Sequence, residues 1–293
     1  MDNLTIGFIG YGEASYLISK GLKNEGVDDQ IAFDINMSDS LLGPEIKKRV
    51  SRTNIKTANS LEELCEKSTI LLCATSASVA EKIAQEVQQF LKKEHLYIDL
   101  NASSPMVQQN ISHYISDSKA KFVDAAVMES VPAHGHKVPL FLSGDGANYF
   151  EELGTAYGMN LKYIAEEAGA SSAIKMFRSI FMKGFTNVLL ETLEASEKYN
   201  VSNVVLESLD NSIRKGPLDE YANMLINRTS IHAERRVAEM DEVIKTLDSL
   251  NVEPTMSKAT KQKLQSVVDK RIKEKLNGKQ PNSFTEVISM LHG

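Results

Sequence analysis

The chain up to about residue 168 alternates short apolar runs with longer amphipathic stretches. The apolar runs have the length of buried strands, and turn residues or polar segments flank them. They cover residues 4–9, 30–33, 69–74, 96–100, 121–127 and 140–143. Helix-length stretches lie between them at residues 15–25, 60–67, 79–91 and 106–117. This alternation predicts an α/β domain in which helices cover an open, doubly wound parallel sheet.

The pattern changes at Gly169, where the strand signals stop. Apolar residues then recur at spacings of three and four, as in Ile174, Phe177, Ile180 and Phe181. That spacing is typical of amphipathic helices. We therefore predict a sheet domain over residues 1–168 and an all-helical domain over residues 169–293.

Composition and charge exclude several classes of function. The 293 residues carry 33 basic and 39 acidic side chains, a net charge of −6, and this argues against a nucleic-acid partner. No uncharged apolar run reaches the roughly 18 residues that a membrane span needs. The first residues carry no basic segment or apolar leader, so we expect a cytoplasmic protein. Cys65 and Cys73 have no metal-type spacing partner, and we expect reduced thiols and no metal site.

A glycine-rich loop follows the first apolar run and opens a helix. The loop reads Gly10-Tyr11-Gly12-Glu13-Ala14-Ser15. The first glycine permits a tight turn, and the second lets the backbone approach a pyrophosphate at the positive end of the helix. Ser15 ends the loop at the position where this fingerprint usually has glycine or alanine. The context of strand, loop and helix predicts a Rossmann-type dinucleotide site.

Asp34 ends the second predicted strand, where a carboxylate accepts hydrogen bonds from an adenosine ribose and repels a 2′-phosphate. The next residues supply no arginine, although Lys47, Lys48 and Arg49 could fold back toward the site. The sequence therefore favours NAD over NADP as the cofactor.

Two more loops of small residues follow predicted strands at the edge where open α/β sheets bind ligands. We expect Ala74, Thr75 and Asn101 to contact the cofactor and Ser103 to face the substrate. An ordinary turn is the alternative for each loop.

Four segments together resemble the β-hydroxyacid dehydrogenases related to 6-phosphogluconate dehydrogenase, within a branch that has its own C-terminal helical domain. The segments are residues 8–15, 99–105, 124–130 and 169–175. The resemblance implies that Lys175, six residues after Gly169, is the catalytic acid/base. Apolar neighbours such as Ile174 and Phe177 agree with this role, because partial burial lowers the pKa of a lysine toward working pH.

The resemblance also points to substrate-binding residues. Ser179 stands where similar proteins place an asparagine that orients the substrate. Met128, Glu129 and Ser130 stand where the family reads Ser-Gly-Gly and holds the substrate carboxylate. A glutamate there repels a carboxylate, so either the carboxylate binds elsewhere or the substrate differs.

Three histidines complete the candidate set. His134 and His136 flank a glycine in the loop after residue 130, and we expect one of them to contact substrate. His232 lies in the helical half beside Arg235, Arg236 and Glu239, which form either a salt-bridged surface or part of the substrate cleft. We keep His232 as a substrate candidate.

The leading interpretation is an NAD(P)-dependent dehydrogenase or reductase acting on a small hydroxy acid or related polyol acid, with Lys175 moving the proton. The resemblance implies a homodimer. One alternative is a dinucleotide-binding sensor without catalysis. Another is an imine reductase, since such proteins share this architecture but generally lack the lysine.

Overall fold

The computed structural model describes residues 4–214 and 216–292. The chain divides into two compact units, Met1–Ser179 and Ile180–Gly293. The division falls inside a long helix that begins at Ala170, one residue after the glycine at which the sequence pattern changes.

The first unit is built on an eight-stranded sheet, and this confirms the predicted α/β fold. In chain order the strands β1 to β8 are Ile6–Ile9, Gln30–Phe33, Lys56–Thr57, Ile70–Cys73, Leu96–Asp99, Lys121–Val127, Leu140–Ser143 and Leu161–Ala165. Their order across the sheet is β3-β2-β1-β4-β5-β6-β7-β8. The sequence pattern misses β3, which has two exposed residues, and β8, which is an edge strand that is only partly buried.

One strand pair departs from the predicted parallel arrangement. β7 runs antiparallel to β6, whereas all other neighbouring pairs are parallel. The segment between these two strands contains only short helical turns, so no full-length helix carries the chain back across the sheet as a parallel crossover requires.

Helices cover both faces of the sheet. Those of the first unit, α1 to α7, are Glu13–Asn24, Gly43–Thr53, Leu61–Glu66, Ala80–Val87, Pro105–Asp117, Val131–His134 and Ala147–Ala156. Side chains alternate along each strand, so Phe8 joins one core and Ile9 the other. The second core holds both cysteines, and burial raises the pKa of Cys65 and of Cys73 to about 12.

The second unit is all-helical, as predicted. Helix α8, Ala170–Lys198, continues into it, followed by α9 to α13 at Ser202–Ile213, Leu218–Ser249, Thr255–Asp269, Ile272–Lys275 and Phe284–His292. A small core of Ala233, Val267, Ile272, Leu276 and Val287 joins α10 to the helices after it. Helix α9 buries none of its residues.

Candidate active site

The glycine-rich loop turns sharply where β1 ends. Gly10 has a φ of +80°, and a Cβ there would lie 2.7 Å from the carbonyl oxygen of Ala74. Only glycine combines that backbone with so close an approach. The buried Ser15 hydroxyl donates to the Gly10 carbonyl at 2.7 Å, so the residue that departs from the fingerprint fastens the turn.

Open space lies beside the start of α1. Gly12 is the N-cap of this helix, and a Cβ built on it meets no atom within 4 Å. Glu13 is exposed and Ala14 half-buried. All three line a recess of about 240 Å³ that also includes Thr75 and Asn101. Free backbone N–H groups at a helix N-terminus beside open space suit the pyrophosphate of a dinucleotide.

Asp34 ties the loop to the end of β2. Its carboxylate accepts from the backbone N–H of Tyr11 at 2.8 Å and of Asn36 at 2.9 Å. Each carboxylate oxygen has more than one acceptor site, so capacity remains for the hydroxyls of a ribose.

Tyr11 is part of the loop that is predicted to bind the cofactor, but its side chain points away from the site. Its phenol is buried and lies 2.9 Å from each of the Ser19 and Thr53 hydroxyls, and desolvation raises its pKa. The side chain belongs to the core under the loop. Tyr11 therefore faces the site only through its backbone.

A cleft of about 640 Å³ runs from the glycine loop along the ends of β1 and β2 to α2. Gly10, Gly12, Asp34 and Thr75 line it together with apolar side chains that suit a flat adenine ring. Arg49 also lines the cleft. Of the three basic residues that could have folded back toward Asp34, it is the one that the structure brings there.

A hydrogen-bonded network joins the next two loops. The Asn101 side-chain oxygen accepts from the backbone N–H of Thr75 at 2.7 Å, and the Asn101 amide nitrogen donates to Asp99 at 2.9 Å. Gln108 donates to the same carboxylate at 3.0 Å. Asn101 is thus a buried brace that fixes the Thr75 loop, and its side-chain amide is occupied within the protein.

Asp99 is a residue that the sequence analysis did not single out. It is fully buried, and desolvation raises its pKa to about 6, against the lowering effect of Gln108 and Asn101. It lies in register with Asp124 on β6. The sequence carries no local signal for this pairing, because Asp99 ends β5 whereas Asp124 lies in the middle of β6. Ser103, a substrate candidate, is buried beyond this network, and its hydroxyl has no partner among the described residues.

Asp124 on β6 holds the start of α8 by hydrogen bonds. The Asp124 carboxylate accepts from the hydroxyl of Ser172 at 2.7 Å and from its backbone N–H at 3.1 Å. Just before the helix, Gly169 has a φ of +92°, and a Cβ there would lie 2.7 Å from the carbonyl oxygen of Pro105. A buried carboxylate and a required glycine therefore fix the helix that carries Lys175.

Lys175 lies in the first turns of α8 and is half-buried. Desolvation lowers the pKa of its ammonium, and the negative charge of Asp124 partly offsets this. A lysine whose charge is disfavoured in this way exchanges a proton more readily near neutral pH than a solvated one.

The loop after β6 meets α8 at a residue that the sequence analysis missed. The Arg178 guanidinium donates to the carbonyl oxygen of Met128 at 2.7 Å. Arg178 is exposed and follows Lys175 by three residues, so the two cations lie on neighbouring positions of one helix face.

In the loop after β6, Nε2 of His134 lies 2.9 Å from the carboxylate of Glu129, the residue expected to repel a substrate carboxylate. Ser130 is exposed at the start of α6.

His136, one of the two histidines predicted to contact substrate, packs against a helix of the first unit. Its ring is buried against α1, where a Cβ on Gly21 would overlap it, and its Nε2 lies 3.3 Å from Glu25. The glycine at residue 21 makes room for the imidazole. His136 is thus a packing residue between the loop and α1, and it is not part of the candidate site.

The two remaining substrate candidates differ in position. Ser179 is half-buried one helical turn after Lys175. His232 lies in the second unit, at a kink of α10 where its φ is −111° and its ψ is 16°. Nearby, Arg235 and Glu239 form an ion pair at 2.6 Å, which is the salt-bridged alternative considered for this array.

Within residues 4–214 and 216–292, no three or more histidine, cysteine or acidic side chains lie together as a metal site would require. No helix in the same ranges has the length and apolar character to span a membrane.

The site can be compared with known proteins. Residues 196–267 match a domain of unknown function, DUF1932. An uncharacterized 28.5 kDa protein in the 7S RNA 5′ region of Methanothermus fervidus is 28% identical over 258 residues, or 88% of this chain and 96% of the relative. A conserved protein of unknown function, reported to be structurally similar to 3-hydroxyacid dehydrogenases, shares 28% identity at a TM-score of 0.63, covering 94% of this chain and 100% of that one.

A third likeness shows the fold alone. An imine reductase from Aspergillus terreus in complex with NADPH4 superposes with a TM-score of 0.76 at 12% identity, covering 99% of this chain and 100% of that one. In the first unit, residues 5–152 match the NAD binding domain of 6-phosphogluconate dehydrogenase. That match spans just over half of the chain, and the protein belongs to the family that carries this NAD-binding domain.

Proposed function

We propose that this protein is an NAD(P)-dependent oxidoreductase that moves a hydride between the nicotinamide and the CH–OH carbon of a small hydroxy acid or related polyol acid. The observation that carries the proposal is the setting of Lys175, half-buried with a lowered pKa at the start of a helix fixed by Asp124. That setting suits a residue that must both take up and release a proton.

The residues that would hold the cofactor fit it. Gly10 and Gly12 leave room beside the start of α1, and Asp34 faces the adenosine end of the cleft. When bound, the nicotinamide supplies or accepts the hydride. The carboxylate of Asp34 favours NAD, because it can accept from both ribose hydroxyls and would repel a 2′-phosphate.

The protein's own contribution to the chemistry is the proton. In oxidation, the neutral amine of Lys175 takes the proton of the substrate hydroxyl while the hydride leaves the adjacent carbon. In reduction, the ammonium returns a proton to the carbonyl oxygen. Oxidation therefore requires the deprotonated lysine and should accelerate as pH rises, whereas reduction should slow over the same range.

Arg178 would hold the substrate's acid group. The loop that binds it in similar proteins reads Met128, Glu129 and Ser130 here, and a guanidinium on α8 reaches this loop at Met128. Only one of its N–H groups is used in that bond, and the planar fork suits a carboxylate.

An imine reductase is the second candidate, because the fold likeness to such enzymes is high. Lys175 favours alcohol chemistry instead, since reduction of an iminium carbon needs no proton delivered to an oxygen. Turnover of cyclic imines by a Lys175→Met variant, together with no turnover of hydroxy acids by the unmodified protein, would establish the imine reductase.

We also propose a homodimer. Helix α8 exposes a long apolar face, and large apolar side chains left in water are typical of an interface. Its exposed members are Phe177, Ile180, Phe181, Phe185 and Val188. Light scattering during size-exclusion chromatography should give twice the chain mass of 32.4 kDa, and a monomer would contradict the proposal.

The deciding experiment has two stages. Binding of NADH and NADPH is measured by nicotinamide fluorescence, with Asp34→Ala expected to relax a preference for NADH. A panel of hydroxy acids is then screened for turnover, with Lys175→Met as the test variant and the exposed Lys183→Met on the same helix as its control. The proposal requires turnover that only the first variant abolishes, and equal activity of both variants contradicts it.

A further inference from the structure

The adenosine end of the cleft contains one basic side chain among the described residues that line it. That side chain is Arg49, on the helix α2 that closes this end. Three carboxylates, those of Asp34, Glu45 and Glu86, line the same cleft. A 2′-phosphate entering here would therefore meet more negative than positive charge.

The single cation is also paired within its own helix. Nε of Arg49 lies 3.9 Å from Glu45, four residues earlier, in the order along a helix that favours such a pair. The same carboxylate lies 3.6 Å from Nζ of Lys48, which does not line the cleft. The Arg49 side chain is 21% exposed, whereas that of Glu45 is 50% exposed. Glu45 stands in the first turn of α2, where the helix dipole stabilises its charge.

We propose that Glu45 is a second determinant of cofactor preference and that it acts by neutralising Arg49. An arginine beside the adenosine ribose would otherwise bind a 2′-phosphate through its planar fork. The neighbouring carboxylate offsets the charge of the guanidinium and repels the phosphate. The proposal rests on the proposed use of a nicotinamide dinucleotide, and it assigns the choice between NAD and NADP to a pair on α2 in addition to Asp34 on β2.

Such a pair would let the cleft contain an arginine and still disfavour a 2′-phosphate. Asp34 acts at the ribose itself, where its carboxylate is fixed by two backbone N–H groups. Glu45 acts one step away, on the one basic group among the described residues that line the cleft. Loss of Glu45 should therefore strengthen NADPH binding without weakening NADH binding.

The test is a set of dissociation constants for NADH and NADPH, read from nicotinamide fluorescence, so it requires no substrate. Glu45→Gln should tighten NADPH binding relative to NADH about five- to tenfold, an effect that shrinks at high salt. The double variant Glu45→Gln/Arg49→Gln should lose this gain, since the freed guanidinium is gone. Thermal melting of each variant confirms that it folds.

Glu86→Gln is the matched control. Glu86 lines the same cleft from α4, but it pairs with Lys82, at 3.6 Å, and not with Arg49. A gain in Glu86→Gln equal to that in Glu45→Gln would overturn the proposal, because the general field of the cleft would then set the preference. A gain that persists in the double variant, or no gain at all, would also overturn it. Failure of the unmodified protein to bind either nucleotide would contradict the proposed function as well.

Discussion

Arg178 on α8 donates to the backbone carbonyl of Met128, and its exposed guanidinium keeps most of its donors toward solvent. If it holds the acid group of the substrate, its loss should affect binding of the ground state and the transition state alike. Such a loss raises KM and leaves kcat nearly unchanged.

We expect Arg178→Gln to raise KM for a hydroxy acid about 10- to 100-fold, the range for losing a charge-assisted pair. Steady-state kinetics measure this effect, with Arg178→Lys as an intermediate variant that keeps the charge and loses the fork. A neutral alcohol of similar size is the control substrate. Equal losses on acid and neutral substrates would mean that Arg178 only supports the loop.

Asp99 should make the stability of the protein depend on pH. Its pKa is about 6 in the folded protein, against an ordinary value of 3.8. The folded state therefore holds its proton more tightly than the unfolded chain does, and ionisation of Asp99 costs stability. That cost is absent below about pH 4 and complete above about pH 6.

The free energy of unfolding of the unmodified protein, taken relative to Asp99→Asn, should rise by about 2 kcal/mol from pH 7 to pH 4. Urea unfolding at several pH values measures this difference, and groups that titrate equally in both proteins cancel. A difference that stays constant with pH would show that the Asp99 carboxylate is not destabilised by its burial.

Among the elements, the start of α8 depends on a glycine whose replacement should lower the free energy of unfolding. Alanine at residue 169 would combine an unfavourable φ with a contact of 2.7 Å to the Pro105 carbonyl. Gly26 offers a control with a φ of +89° and no atom within 4 Å of a Cβ. Both substitutions would place an alanine at a positive φ, and only the one at residue 169 would also bring a methyl group against a carbonyl oxygen.

We expect Gly26→Ala to lower the free energy of unfolding by about 1–2 kcal/mol, the cost of a left-handed alanine. Gly169→Ala should lower it by about 3 kcal/mol or more, because backbone must also move. Denaturant unfolding gives both values. Similar losses in the two variants would indicate that α8 shifts freely to admit the methyl group.

The elements also show which parts of the fold a sequence can predict. Strands buried on both faces, such as β1 and β4, are continuous apolar runs and were found. β3 and β8 lie at the sheet edges and are partly solvated, so their apolar signal is weak. Helix α2 was missed because five of its 11 residues are charged and it buries only Gly43, Ile46 and Thr53.

The residues of the candidate site also differ in how far the sequence alone predicts them. Gly10 and Asp34 were predictable because their roles depend on local sequence context. The roles of Asp99 and Arg178 depend on strand register and on a loop meeting a distant helix, which one sequence does not encode locally. The position of His136 was not predictable, because it is decided by packing against Gly21, and a loop histidine carries no sign of a neighbour so far along the chain.

At the scale of the whole molecule, the two cysteines offer a way to follow the protein without knowing its substrate. Both are buried in the core on one face of the sheet, and their thiols have pKa values of about 12. An alkylating reagent needs an accessible thiolate, so native protein should react only when that core transiently opens. Brief exposure to iodoacetamide followed by mass spectrometry would count such openings.

A compound that binds the folded protein makes opening rarer in proportion to its concentration over its dissociation constant. Slower alkylation would thus reveal a bound nucleotide or hydroxy acid even where turnover is undetected. The sulfur atoms that take no part in the proposed chemistry become reporters in a search for the compounds that do.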